Sequence, residues 1–260
     1  MIETNQIYNE NNIDTLNRIE DNFIDLTVTS PPYNVDLGNN KLNKKPYDLY
    51  PDNKEHKEYL AWLKDIFVLI YQKTKIGGRC VINIADGKNG KIATHSDIIQ
   101  MMQNVGWIQI VTIVWDKTCV SSRTSWGSFL SPSSPSFPTP FEYVLVFAKE
   151  KIKLQWKGKT DLTREEFISW SLAKWTFPGE NLTKLGHPAA FPVELPIRCI
   201  KMFSWVGAVV YDPFMGSGST AIACLRTNRK FIGSEISDKY VQSCIDRISK
   251  EQHRLNKSQT

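Results

Sequence analysis

Asp212-Pro213-Phe214-Met215-Gly216-Ser217-Gly218-Ser219-Thr220-Ala221 is the stretch that decides how this chain is read. It follows the β-branched run Ala208-Val209-Val210-Tyr211 and leads into a helical pattern from Thr220 to Arg226. Two glycines one residue apart let a backbone turn tightly and come close to a ligand. Glu235 stands seventeen residues beyond Gly218, in the next strand-like run, Phe231 to Ile236. In an open α/β sheet an acid at that place accepts the hydroxyl protons of a ribose. The pair points to a nucleoside-containing cofactor. Three readings compete at this stage. Gly216, Gly218 and Ala221 fit a dinucleotide fingerprint, which admits an NAD-dependent oxidoreductase. A different nucleoside cofactor is the second. A glycine turn that merely packs a helix on a sheet is the third. A P-loop is disfavoured, because no lysine follows the glycines.

Outward from this turn, strand and helix patterns alternate. Phe23 to Thr29 reads as a strand stopped by Pro31-Pro32, preceded by a short helix carrying Ile13, Leu16 and Ile19. Tyr59, Trp62, Leu63, Ile66, Phe67 and Ile70 mark an amphipathic helix that should stop near Gly77-Gly78. Strands are expected at Arg79–Ile84, Trp107–Trp115 and Glu142–Phe147, with a helix ending at Gly106 between the first two. Leu195, Cys199 and Met202 share a helix face, and Tyr240, Cys244, Ile245 and Ile248 form a last one. Residues 254–260 read as a solvated tail. This alternation predicts an α/β sheet with helices on both faces.

Composition narrows the class. The 260 residues carry 32 Lys plus Arg against 27 Asp plus Glu, a net charge of +5, which permits a nucleic-acid partner without requiring one. The 41% apolar and 23% charged content is that of a folded protein rather than a disordered one. A single core at this length would bury roughly three quarters of the unfolded chain's surface. No run of 18 apolar residues occurs, and the polar start MIETNQIYNENNID lacks the pattern of a secretory signal. The five cysteines are widely spaced without a CxxC pair and the four histidines are scattered, so neither disulfides nor a metal site is expected. A reducing cytoplasm fits.

Thr29-Ser30-Pro31-Pro32-Tyr33-Asn34 lies directly after a predicted strand, where α/β sheets place their active sites. The prolines lack N–H groups, so the loop offers carbonyl acceptors without competing donors. Ser30 adds a hydroxyl acceptor and Tyr33 an aromatic face. This set suits a planar base with an exocyclic amine. A Pro-Pro turn that simply ends a strand is the plainer reading of the loop alone.

The two ends together resemble the amino-group DNA methyltransferases. Thr29 to Tyr33 resembles their motif IV, Asp212 to Gly218 their motif I, and Gly233 to Ile236 their acidic motif II. His187-Pro188-Ala189-Ala190-Phe191-Pro192 with Leu195-Pro196 resembles the segment that precedes motif I. The catalytic motif comes first and the cofactor motif last, the order of the β class. The likeness runs from about Ile13 to Arg247. One departure lies at Asn11-Asn12-Ile13-Asp14, where family members often carry an acid, so no adenine contact is assigned there. Asp86 is a minor candidate beside the cofactor, with a turn-forming role as its alternative.

The resemblance implies a Rossmann-like methyltransferase fold: a mixed, seven-stranded sheet with circularly permuted motifs and a small inserted recognition region. Residues 1–148 would form the catalytic part, 149–186 the target-recognition insert, and 187–260 the cofactor part. S-adenosyl-L-methionine would bind at Asp212, Pro213, Phe214, Gly216, Ser217, Gly218 and Thr220, with Glu235 on the ribose. His187, Pro188 and Phe191 would help close that site. Ser30, Pro31, Pro32 and Tyr33 would be catalytic. A serine in first place resembles the cytosine-N4 enzymes, and adenine-N6 is the alternative. Double-stranded DNA would be the partner, approached by Asn34, Lys44, Lys45, Arg123, Ser125 and Trp126. A cognate restriction endonuclease at the same DNA site, no membrane, and a monomeric or homodimeric state complete the expectation.

Overall fold

The computed structural model describes residues 2–34, 47–50, 52–88, 90–118, 127–128, 130–135, 137–180 and 190–257. Among these, eight strands form one sheet in the spatial order β1-β8-β7-β2-β3-β5-β4-β6. The strands are β1 Gln6–Asn9, β2 Ile24–Thr29, β3 Thr74–Ile84, β4 Trp107–Asp116, β5 Phe141–Lys149, β6 Lys174–Thr176, β7 Val209–Asp212 and β8 Lys230–Glu235. Every pairing is parallel except those of β5, which runs antiparallel to both β3 and β4.

Seven helices among the described residues cover the sheet: α1 Asn12–Arg18, α2 His56–Lys73, α3 Thr94–Val105, α4 Arg164–Trp170, α5 Glu194–Phe203, α6 Ser219–Arg226 and α7 Asp238–Lys257. Leu16, Leu63, Phe67 and Ile98 of α1 to α3 join Ile82 and Tyr211 in one core. Leu195, Cys199, Ala223 and Cys244 of α5 to α7 join Val28 and Val210 in the other. All six residues of β2 are buried, as a central strand covered on both faces requires.

The site follows from the order of crossovers. After β2 the chain passes through α2 to β3 on one side; after β7 it passes through α6 to β8 on the other. The carboxyl ends of β2 and β7 therefore flank the point where the connections diverge, and a crevice opens there.

The sheet has one strand more than the seven expected, and two of its members escaped the sequence pattern. β1 is a short polar edge strand paired to β8, and β6 has only three residues, so neither shows an apolar run. α2 also runs straight into β3 at Thr74, and Gly77-Gly78 lies inside β3 rather than between the two elements. The register to β2 shifts there, and a Cβ on Gly78 would meet Asp25 O at 3.0 Å. The expected tail is helical as far as Lys257, where Arg254 Nε donates to Glu251 Oε1 at 3.0 Å.

Residues 149–180 are tied into the same body. β6 extends the sheet beside β4, and Trp170 and Trp175 belong to the core of the α5 to α7 face. Thr163 and Glu166 form a capping box at the start of α4. Arg229, whose side chain is fully buried, donates to Asp161 Oδ2 at 2.7 Å and to the carbonyls of Ser204 and Thr227. Breaking a buried pair strands a charge, so Arg229→Ala should cost about 3–5 kcal/mol in urea denaturation. A loss below about 1 kcal/mol would mean that this anchor contributes no more than a surface pair.

Candidate active site

The two sequence motifs meet through a carboxylate. β2 and β7 pair with Leu26 opposite Val210 and Thr27 opposite Tyr211. Just beyond, Thr29 Oγ1 donates to Asp212 Oδ1 at 2.7 Å, and Phe214 N donates to the same oxygen at 3.0 Å. Thr220 Oγ1 donates to Oδ2 at 2.6 Å. Asp212 is 1% exposed. Burial pushes its carboxyl up to about 6, against the opposing pull of those three hydrogen bonds.

Above this carboxylate the chain turns through Gly216 (φ 52°) and Gly218 (φ 85°), both in the left-handed region that favours glycine. A Cβ at Gly218 would also collide with Cys244 Sγ. The turn aims Gly216 N at Glu235 Oε2, 2.9 Å away, while Ser237 N donates to Oε1 at 3.0 Å. Burial pushes the Glu235 carboxyl upward. Each of its oxygens accepts one of these hydrogen bonds and has lone pairs for further donors. A cleft of about 260 Å³ opens here, walled by Phe214, Gly216, Ser217, Glu235, Tyr50 and Trp62. Trp62 stacks on Tyr50 at 5.1 Å and leans on Phe214 at 5.6 Å.

Ser30 and Pro32 line the same cleft. Pro31 is buried. Pro32 O already accepts from Tyr59 Oη at 2.8 Å. Tyr33 stands outside the cleft wall and meets Ser30 through its hydroxyl, with Ser30 Oγ donating to Tyr33 Oη at 2.9 Å. Asn34, held at φ 56°, commits its amide to Lys54: Nδ2 donates to Lys54 O and Oδ1 accepts from Lys54 N, both at 2.8 Å.

Of the residues assigned to the cofactor from sequence, Pro213, Phe214, Gly216, Ser217, Glu235 and Phe191 line the cleft. Asp212, Gly218 and Thr220 lie beneath the turn, where Asp212 accepts from Thr29, Phe214 and Thr220 and Gly218 takes a left-handed conformation. Asp86 accepts from His95 N at 3.1 Å and His95 Nδ1 at 2.7 Å at the start of α3. His187, Pro188, Lys44, Lys45, Arg123, Ser125 and Trp126 lie outside the described residues.

Sequence reasoning missed part of the wall. Asn11 and Asn12 line the cleft, and Asn12 Nδ2 donates to Pro213 O at 3.3 Å. Tyr47, Tyr50 and Trp62 were hidden in a polar loop and on an ordinary amphipathic helix. Asn83 and Glu142 bond the Tyr33 hydroxyl, and Lys117 bonds Glu142. Their signal was present: Glu142 is an acid inside the apolar run Phe141–Lys149.

Asp212 also gives a pH test. Its folded-state value, about 6, lies above the unfolded 3.8, so burying its charge costs stability above pH 6 and the cost disappears below pH 3.8. Asp212→Asn should remove a decline of about 3 kcal/mol as pH rises across that window. Parallel urea titrations of the two proteins at pH 4 and pH 7 would show it; identical pH slopes would contradict it.

The comparisons agree with this geometry. The sequence profile of the N6/N4 DNA methylases matches residues 24–246. The type II methyltransferase M.MjaVI of Methanocaldococcus jannaschii is 38% identical over 186 residues, 67% of this chain and 92% of that protein. M.MjaI of the same organism is 31% identical, covering 92% of this chain and 90% of the relative. A putative DNA modification methylase from Thermus thermophilus, complexed with S-adenosyl-L-methionine, superposes with a TM-score of 0.74 at 26% identity, over 95% of this chain and 93% of that one. PvuII DNA methyltransferase, cytosine-N4-specific, shares the fold with a TM-score of 0.70 at 21% identity, over 98% and 93%. A serine-diproline loop and a glycine turn joined across two parallel strands, within a profile spanning most of the sequence, place the chain in the N6/N4 family of DNA methylases.

Proposed function

We propose that this protein transfers a methyl group from S-adenosylmethionine to N4 of cytosine in double-stranded DNA. The observation that carries the reading is the shared cleft: Ser30 and Glu235 open onto one cavity. The cradle fits the cofactor. Glu235 has lone pairs for ribose hydroxyls, Gly216 lets the backbone approach closely, and Phe214 and Trp62 provide a flat apolar wall. When bound, the cofactor supplies a methyl group on a sulfonium sulfur, activated for direct displacement.

The chain's own residues prepare the amine. The target base leaves the helix at a cost of a few kcal/mol. An exocyclic amine is a poor nucleophile, because its lone pair is delocalised into the ring. Ser30 Oγ and the Pro31 carbonyl would each accept one N–H, so the nitrogen can pyramidalise. The Pro32 carbonyl, on the cleft wall, accepts one hydrogen bond from Tyr59 and keeps its second lone pair. Positioning and preorganised acceptors supply most of the acceleration.

Cytosine is favoured by the serine in first place, which resembles the cytosine-N4 enzymes; adenine-N6 is the second reading. The family assignment displaces the NAD-dependent oxidoreductase reading. Segment 149–186 serves as the target-recognition region in this proposal, Lys44, Lys45 and Arg123 contact DNA, and Asn34 shapes the loop. The named relatives are type II methyltransferases, which supports a restriction–modification setting in the cytoplasm with an endonuclease of matching specificity.

Incubation of mixed-sequence DNA with labelled cofactor, followed by mass spectrometry of the nucleosides, should yield N4-methylcytosine. N6-methyladenine alone would transfer the reading to the second base. Ser30→Ala should slow turnover by about 10²–10³ while cofactor affinity in calorimetry stays constant. Glu235→Ala should weaken cofactor binding by about 10–10², with thermal unfolding preserved; unchanged affinity would remove Glu235 from the site.

A further inference from the structure

Glu142 is 8% exposed and sits at the start of β5. Lys117 Nζ donates to its Oε1 at 2.7 Å. Its Oε2 accepts from Tyr33 Oη at 2.8 Å and from Asn83 Nδ2 at 2.7 Å. Asn83 Nδ2 also donates to Tyr33 Oη at 2.7 Å, and Ser30 Oγ donates to the same oxygen at 2.9 Å.

These contacts fix the direction of each proton. Asn83 must turn its nitrogen toward the carboxylate, because its oxygen there would set two acceptors 2.7 Å apart. That orientation leaves Asn83 Oδ1 buried without a hydrogen-bond partner, a cost the structure accepts. An ionised carboxylate only accepts, so the Tyr33 hydroxyl donates to Glu142. The Tyr33 oxygen then accepts from Asn83 and Ser30. Ser30 has its proton committed to Tyr33, and its lone pairs are left for the cleft. Burial, then the nearby Glu142 charge, push the Tyr33 phenol well above its ordinary value, so the ring passes a proton without holding a charge.

We propose that Ser30, Tyr33 and Glu142 form a proton relay that ends on the Glu142 carboxylate. The inference rests on the reading that Ser30 holds the substrate amine. As the amine nitrogen bonds to the methyl carbon, the carbon–sulfur bond breaks and its electron pair stays on sulfur. The nitrogen is left with one proton too many. That proton moves to Ser30 Oγ, the Ser30 proton moves to Tyr33 Oη, and the Tyr33 proton moves to Glu142. Glu142 gives it up to water when the product leaves. Glu142 thus acts through Tyr33 and Ser30 without touching the base.

Glu142→Gln keeps an acceptor oxygen of the same reach but cannot take the proton. Tyr33→Phe keeps the ring and breaks the chain. Each should slow single-turnover methylation by about 10² while calorimetric cofactor affinity and thermal unfolding stay at wild-type values. In DNA-free protein carrying ¹³Cζ-labelled tyrosine, the Tyr33 resonance should move in both Glu142→Gln and Ser30→Ala, which flank the same hydroxyl. Wild-type turnover in Glu142→Gln or Tyr33→Phe, beside a slow Ser30→Ala, would overturn the relay and leave the Ser30 reading intact. Wild-type turnover in Ser30→Ala would overturn both. If Glu142→Gln does not fold, Tyr33→Phe decides alone.

Discussion

The contact between Thr29 and Asp212 is the constraint on which this molecule turns. Each residue ends a strand, and each strand leads into one half of the chemistry. A carboxylate that is nearly solvent-free would be expensive alone, yet here it accepts from Thr29, Thr220 and the Phe214 amide. Those donors belong to β2, the helix after the glycine turn and the turn itself. One buried anion therefore fixes the relative position of three segments. Its energetic burden is offset by the geometry it enforces.

From that anchor the two halves are arranged differently. The wall around Glu235 is mostly backbone and carboxylate: Gly216 and Ser237 bring N–H groups to Glu235, and Trp62 stacks on Tyr50 nearby. The Ser30 side is a hydroxyl and carbonyls, backed by a polar cluster around Tyr33. Low local dielectric strengthens both sets and makes errors in their placement costly.

Much of this was legible in the residues. β2, β7, the glycine turn and Glu235 were readable because each combines an apolar run with a backbone-determining residue beside it. Gly106 marked the end of α3 for the same reason. What escaped reading has physical causes. β1 and β6 gain stability from pairing at sheet edges, not from a sequence pattern of their own. Glu142 escaped reading because site candidates were sought after strands. β5 runs against its neighbours, so its beginning, not its end, arrives at the active edge of the sheet.

The pairing of β2 with β7 has a consequence for how the protein comes to exist. Thr29 and Asp212 are 183 residues apart in the chain, with no short connection to bring them together early. Contacts of such separation lose loop-closure entropy before they return any stability, so they form late in folding. Until β2 and β7 pair, nothing holds the serine loop and the glycine turn face to face. Methyl transfer is therefore confined to molecules that have completed their sheet, and immature copies are silent toward the genome.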